Sequence, residues 1–262
     1  MSERSAVLVC ALAAGWLVFG TLDARATASY LGEANATLEV MSISSMPAGF
    51  RITRDLFDSD PNFNIGETAT MSGSGNFDAQ ASASATFSAV DPFSFIVGDS
   101  LSVAAMGSGF ASPVGASMAE SFSIPIIDLS IDNQSGIEVT VEFLLTYDLS
   151  LTVTADDPLT EQATGLVDVS VAVGGRTGVP LPDPFSDVLF GDTDLSDPPQ
   201  MGMDTRTITF VLPAGETQSV QLSTAVSADA IVIPEPSALV TGGVGVIVLI
   251  GGRRRRRRCG MN

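Results

Sequence analysis

Two short acidic segments carry the side chains that are best suited to hold a metal ion. Each places carboxylate or amide oxygens at closely alternating positions, as calcium-binding loops do where they begin. The candidate ligands are Asp58, Asp60, Asn62, Asp192, Asp194 and Asp197. An EF-hand is excluded for the first segment, because Phe63 stands where such a loop needs glycine and Ala69 where it needs glutamate. We therefore expect no cofactor other than calcium, and aspartates that cap turns on a solvated edge are the alternative.

The residue types that are absent exclude most catalytic chemistry. Between residues 29 and 233 the chain has no histidine, cysteine or lysine. This segment therefore cannot form a serine or cysteine triad, a thiolate or imidazole zinc site, or a lysine Schiff base. A hydrolase that uses paired carboxylates stays open, because acidic residues are plentiful. Its only large polar aromatics are Tyr30 and Tyr147, too few for the usual sugar-stacking platforms, so we predict that the chain is not an enzyme.

The charge of the same segment is strongly negative. It contains 27 acidic residues and four arginines, which gives a net charge of −23. Such a surface repels nucleic acid and attracts divalent cations. We therefore expect no nucleic-acid partner. High solubility is the simplest role for this charge.

The clearest structural pattern is the alternation from Ile137 to Val153. Every odd position there is apolar or aromatic, and the even positions are mostly polar. Period two with one buried face predicts a β-strand in a two-layer structure. A single strand from Ile137 to Thr154 would extend about 60 Å, which is too long for a domain of this size. We therefore predict a bend or bulge near Leu144 and Leu145, where the strand passes from one sheet to the other.

Weaker alternation predicts further strands along the rest of the segment. These cover residues 36–43, 50–54, 68–78, 82–90, 101–110, 121–132, 163–173, 205–212 and 217–226. Turn-forming residues such as Asn133-Gln134-Ser135-Gly136 separate them. The segment from Pro180 to Met203, rich in proline and aspartate, is predicted to be a long surface loop. The pattern as a whole predicts an all-β fold, either an antiparallel β-sandwich or a jelly roll.

Two asparagines lie in sequons for N-glycosylation. They are Asn35, in Asn35-Ala36-Thr37, and Asn133, in Asn133-Gln134-Ser135. The motif is short and occurs often by chance. It therefore predicts no modification on its own.

The first 28 residues have the three parts of a secretory signal peptide. Arg4 supplies the positive charge, and residues 6–20 form the apolar core. Ala26-Thr27-Ala28 matches the small-residue cleavage pattern, with Ala24-Arg25-Ala26 as a second choice. We therefore predict an N-terminal signal helix and export of the segment that follows it.

The C-terminus combines a proline-flanked acidic motif, an apolar segment and a basic block. Pro234, Glu235 and Pro236 precede a transmembrane helix that we predict at residues 237–252. These residues would span about 24 Å as a helix, slightly less than the roughly 30 Å of a hydrocarbon core. The basic block consists of Arg253, Arg254, Arg255, Arg256, Arg257 and Arg258. Guanidinium groups resist transfer across a bilayer and can snorkel to its interface, so this block is predicted to be a cytoplasmic stop.

This tail resembles the sorting signal of PEP-CTERM proteins. Residues 234–237 match the motif of that family, residues 237–252 its membrane helix and residues 253–258 its basic end. The resemblance implies that the partner is an exosortase, a membrane enzyme thought to cleave near the motif. It covers only the last thirty residues or so and implies no activity for the segment before it.

The sequence thus predicts a signal peptide at residues 1–28, a β-sandwich domain at 29–233 and a sorting signal at 234–258. We expect export, anchoring by the C-terminal helix, and a cell-surface or extracellular location after processing. The expected role is structural or adhesive, with an exopolysaccharide or surface matrix as a further partner. A calcium-dependent binding module for a surface glycan or protein, and a secreted carboxylate-type hydrolase, are the alternatives.

Overall fold

The computed structural model describes most of the segment between the two predicted targeting signals. The described residues are 28–54, 65–73, 76–89, 91, 94–112, 116–157, 159–175, 185–193 and 198–233. The predicted signal helix and sorting signal lie outside them. Within these ranges no helix is long and apolar enough to cross a membrane.

The regular structure of the described residues consists of eleven β-strands. The strands are β1 (Ala28–Ile43), β2 (Phe50–Arg54), β3 (Ile65–Gly73), β4 (Phe77–Ser88), β5 (Ser100–Ala111), β6 (Ser117–Asn133), β7 (Val139–Thr154), β8 (Glu161–Gly175), β9 (Phe185–Asp192), β10 (Gln200–Leu212) and β11 (Glu216–Val232). The prediction of an all-β fold is confirmed.

The strands form two antiparallel sheets. The five-stranded sheet has the order β10-β7-β1-β5-β4. The six-stranded sheet has the order β2-β6-β11-β8-β9. Strand β3 also pairs with β6, along residues 117–125, whereas β2 pairs with residues 129–133 of that strand. Apolar side chains from both sheets form one core, which is the arrangement of a β-sandwich.

Strand β7 lies between β10 and β1 in the five-stranded sheet and follows the predicted alternation. Its odd-numbered side chains from Val139 to Val153 are all buried. The predicted bend near Leu144 and Leu145 is wrong, because β7 pairs with β10 without interruption through these residues. The irregularity lies in the neighbouring strand β1, where the register shifts between Val40 and Ser42. Strand β7 therefore stays in one sheet along its whole length.

Glycine allows the two sheets to approach closely at the middle of the core. A Cβ atom on Gly32 of β1 would lie 2.7 Å from a methyl group of Val226 and 3.0 Å from one of Val167, both on the opposite sheet. Real Cβ atoms do not approach other atoms so closely, and overpacking of this kind is destabilising. The alternation of small and large inward residues thus fixes the separation of the sheets here.

The predicted loop from Pro180 to Met203 is wrong in its extent. It contains all of β9, at the edge of the six-stranded sheet, and the beginning of β10. Strand β9 has no simple apolar alternation, because its inward positions include Asp187 and Gly191. Asp187 accepts a hydrogen bond from the hydroxyl of Tyr147 at the edge of the core. A Cβ on Gly191 would lie 3.1 Å from Val153. The predicted strand at 68–78 is also wrong in its extent, because β3 ends at Gly73 and β4 begins at Phe77.

Both ends of the described chain lie at one end of the sandwich, which we call the base. Ala28 pairs with Ala111, and Val232 pairs with Ser117 just across the short connection from β5 to β6. Ile233, the last described residue, donates its backbone N–H to the carbonyl of Thr160, 2.8 Å away. The base therefore carries both ends of the described chain together with residues 112, 116, 155–157 and 159–160.

Candidate functional site

The most site-like feature of the described residues is a groove on the outer face of the five-stranded sheet. We call it the outer groove, and it has a volume of about 290 Å³. It crosses all of the sheet's strands, since its lining comes from β1, β4, β5, β7 and β10. A smaller depression of about 220 Å³ continues it across β1, β4 and β5.

The strand register places a row of hydroxyl groups across the sheet at the groove. Cross-strand pairing puts these side chains side by side, one from each strand: Thr205, Thr146, Thr37, Ser102 and Thr86. Neighbouring strands lie about 4.8 Å apart, so this row extends across about 19 Å of surface. The hydroxyls of Thr37 and Ser102 are hydrogen-bonded to each other at 2.8 Å.

The next row of side chains also lines the outer groove. Its members, in the same strand order, are Met203, Asp148, Asn35, Ala104 and Ser84. Ala104 and Ser84 have small side chains and line the groove. Met203, with 77% of its surface exposed, lines it on the edge strand β10. The continuation contains Glu33, Ser82 and Met106, the corresponding positions of the third row.

The polar side chains of this second row retain most of their hydrogen-bonding capacity. In the described part of the chain, neither the amide of Asn35 nor the carboxylate of Asp148 hydrogen-bonds to another side chain. Both residues are exposed, and both lie in mid-strand, where the backbone is held by neighbours on each side. The outer groove therefore presents free amide, carboxylate and hydroxyl groups on a rigid support.

The structure brings none of the predicted calcium ligands into a described metal site. Asp58, Asp60, Asn62, Asp194 and Asp197 lie outside the described residues. Asp192 is the last residue of β9 and pairs with Thr164. Among the residues that the structure describes, no group of three acidic, histidine or cysteine side chains is placed to hold a metal ion. The calcium prediction stays a prediction.

A buried carboxylate lies at the base. Glu161 is only 2% exposed, and one of its oxygens, Oε2, accepts the backbone N–H groups of Asp156 and Asp157 at 2.9 and 3.1 Å. Its other oxygen, Oε1, is buried and has no partner within the described residues. Burial is the main cause that raises the pKa of Glu161 above its ordinary value. The geometry gives this group a role in the turn that holds Ile233.

A second cluster joins the free edges of the two sheets. The hydroxyl of Tyr147 on β7 donates a hydrogen bond of 2.6 Å to Asp187 on β9. Burial, and then the Asp187 carboxylate, raise the pKa of Tyr147 to about 12. The Arg206 guanidinium lies 4.8 Å from the centre of the Phe185 ring and 2.9 Å from the carboxylate of Asp204. These contacts are satisfied within the protein, so the cluster attaches β9 and offers no open site.

The two sequon asparagines occupy opposite environments. The side chain of Asn133 is fully buried, and its Nδ2 donates to the carbonyls of Ile137, Leu212 and Pro213 at 2.8 to 3.0 Å. A glycan could not be attached there without breaking these bonds. Asn35 is exposed in the outer groove. The sequon at Asn133 is therefore a structural feature of the turn between β6 and β7.

The sequence analysis did not identify the outer groove. Its partial signal was present in the polar even-numbered positions of β7 and in the alternating threonines 205, 207 and 209 of β10. Comparisons with known protein families and with curated proteins each found no match for this chain.

Proposed function

We propose that the chain is an exported surface protein with a structural or adhesive role, sorted through its C-terminal tail. In this proposal an N-terminal signal helix directs export and is removed. The helix at 237–252 then holds the protein in the membrane until an exosortase acts near Pro234, Glu235 and Pro236. The β-sandwich is the part that stays at the cell surface or in the surrounding matrix.

The observation that carries the proposal is the order of the three parts of the tail. A proline-flanked acidic motif, an uncharged apolar segment and six consecutive arginines follow one another without a spacer. An apolar helix that ends in arginines stops transfer with the arginines in the cytoplasm, which leaves the preceding domain outside. The shared position of both chain ends at the base supports it, because a single end of the domain can then face the membrane.

The properties of the domain support a non-catalytic role. Its two large antiparallel sheets offer rigid outer faces, and its net charge of −23 keeps such a protein soluble. Residues 29–233 contain no histidine, cysteine or lysine, so the catalytic groups that depend on these residue types are missing there. A scaffold that presents surface to a partner is consistent with all of these features.

Two changes in the tail test the proposal by separating recognition from insertion. Replacing Arg253 to Arg258 with serine removes the stop, so we expect uncleaved protein in the medium. Glu235→Ala leaves apolar length and basic block unchanged, so the protein should insert normally and accumulate at full length in the membrane. Glu138→Ala, at an exposed turn of the domain, is the matched control and should be processed like the original chain.

The readout is the mass and the location of the protein after cell fractionation. Normal processing of the Glu235→Ala variant would show that the motif is only a linker and that the tail is a plain anchor. Retention of the uncleaved signal peptide in surface-extracted protein would contradict export by the predicted route.

A further inference from the structure

We propose that the outer groove binds a neutral, polyhydroxylated chain, such as a segment of an uncharged glycan. The inference deepens the proposed function and rests on it for one point, that the domain meets such polymers outside the cell. The binding itself depends only on the described residues of the five-stranded sheet.

The hydrogen-bonding groups of the groove match those of sugar hydroxyls. A hydroxyl group can donate one hydrogen bond and accept two, and the groove offers threonine and serine hydroxyls in a row with the same versatility. Asn35 adds donors and an acceptor, and Asp148 adds acceptors only. Because Asn35 and Asp148 make no side-chain hydrogen bonds within the described protein, a ligand can use their full capacity.

Apolar groups complete the match with the C–H faces of a sugar ring. Met203 is 77% exposed at one side of the groove, and Ala104 forms part of the floor between the polar groups. Methionine is flexible and adapts its shape to irregular apolar surfaces. The mixture of a few directed polar groups with apolar lining is typical of small-ligand sites, whose volumes begin at about 300 Å³.

The charge of the groove selects against polyanions. Asp148 lies in the second row of the groove, and Glu33 lies in the continuation of the groove. No arginine is among the described residues that line either part, and the surrounding domain is strongly acidic. Carboxylates repel uronate or sulfate groups but accept hydrogen bonds from neutral hydroxyls, so the ligand that fits is uncharged.

The shape of the groove indicates a chain and not an isolated small molecule. The groove is an open depression on a sheet face, and it continues past Asn35 toward Ser82 and Met106. All of its walls are β-strands paired on at least one side, so little order must be gained when a ligand binds. An extended polymer can therefore lie across several strands with its ends free.

A substitution on the groove floor tests the site directly. Ala104→Phe fills the space beside Asn35, whereas Ala172→Phe places the same ring on the outer face of the other sheet, at a position on β8 with similar burial. We would titrate the full chain in detergent micelles with neutral glucan, mannan and galactan oligosaccharides and with alginate, a polyuronate. Expected is binding of at least one neutral oligosaccharide, weakened at least about tenfold by Ala104→Phe and unchanged by Ala172→Phe.

A second variant removes chemistry without adding bulk. Asn35→Ala deletes the free amide and should weaken the same neutral ligand about three- to tenfold, the effect of losing one or two hydrogen bonds. The proposal is overturned if none of the neutral oligosaccharides binds at millimolar concentration, if alginate binds more tightly than they do, or if Ala104→Phe and Ala172→Phe have equal effects. If the protein is sorted as proposed but binds no neutral oligosaccharide, the groove proposal alone is contradicted. If it binds one but is not sorted as proposed, the proposed function alone is contradicted.

Discussion

Asn133 is the residue on which several chain segments depend. Its Nδ2 donates to carbonyls at 137, 212 and 213, and its Oδ1 accepts from the backbone and hydroxyl of Ser135. One buried side chain thus joins the turn between β6 and β7 to the turn between β10 and β11. The short motif Asn-Gln-Ser-Gly therefore does more than form a turn, because its asparagine also binds carbonyls of a distant segment.

We predict that Asn133→Ala lowers the free energy of unfolding by about 2–4 kcal/mol, because the buried carbonyl of Leu212 and the partly buried carbonyl of Pro213 lose this donor. Asn35→Ala, the change at the other sequon, removes an exposed side chain and should stay within about 0.5 kcal/mol of the original protein. Urea denaturation of both variants measures the difference. Equal stability of the two variants would contradict the role given to Asn133.

Glu161 makes stability depend on pH. Its pKa is raised in the folded state, chiefly by burial, so the folded protein holds this proton more tightly than the unfolded chain does. The free energy of unfolding should therefore fall as pH rises from the ordinary value of 4.5 through the raised one. The negative charges of Asp156 and Asp157 also raise the pKa of Glu161.

Glu161→Gln removes this titration and keeps an oxygen that can accept from the two backbone N–H groups. We expect the variant to gain stability relative to the original protein as pH rises from about 4 to 7. Melting temperatures across that range measure the effect. A stability difference that does not change with pH would show that Glu161 titrates as an ordinary carboxyl.

At the scale of elements, β9 is held to the sandwich by a few specific contacts. It pairs with β8 on one side only, and Tyr147, Phe185 and Asp187 join it to the edge of the other sheet. The side-chain amide of Gln200 also donates to the carbonyl of Phe190. An edge strand with mixed inward residues needs such contacts, because its apolar burial is small.

Tyr147→Phe should lower the free energy of unfolding by about 1–2 kcal/mol, because the hydrogen bond to Asp187 is lost. In this variant, amide hydrogen exchange should become faster in β9 than in β7. Tyr30→Phe is the matched control, since the Tyr30 hydroxyl is buried beside the Ser121 hydroxyl and makes no well-formed hydrogen bond in the described structure. It should be neutral or slightly stabilising. Hydrogen exchange that is unchanged in β9 would mean that the pairing with β8 alone holds the strand.

At the scale of the whole molecule, both chain ends leave from the base. Leu159 is 91% exposed there, beside Ile233 at 64%, and the predicted membrane helix begins four residues further on. Those four residues reach at most about 14 Å. If the helix spans the membrane, the base must lie close to the bilayer, and the turn at Gly136 must lie about 50 Å further away, the length of β7.

Fluorescent labels test this orientation in the full chain reconstituted into vesicles. In a chain whose own Cys10 and Cys259 are changed to serine, a dye on Leu159→Cys should transfer energy strongly to acceptor lipids, whereas a dye on Gly136→Cys should transfer little. Both positions are open enough to carry a label, since a Cβ at Gly136 would meet no atom within 4 Å. Equal transfer from the two positions would contradict a base that faces the membrane.

Local patterns determined much of this protein before any tertiary structure. The alternation at residues 137–153 predicted a strand with one buried face, and the observed burial of β7 confirms it. Side chains on a strand alternate whatever its neighbours are, so this information is contained in the sequence. The signal peptide, the sorting tail and their consequences are likewise predictions that need only the order of residue types.

The tertiary structure decided what lies beside what. Strand β9 was not predicted, because an aspartate and a glycine occupy its inward face. They fit there because the aspartate bonds to Tyr147 and the glycine lies close to Val153. The row of hydroxyls collects residues from position 37 to position 205, brought together by cross-strand register. Burial follows from local alternation, but register depends on contacts between distant segments, and for that reason the outer groove and the shared base were visible only in the folded molecule.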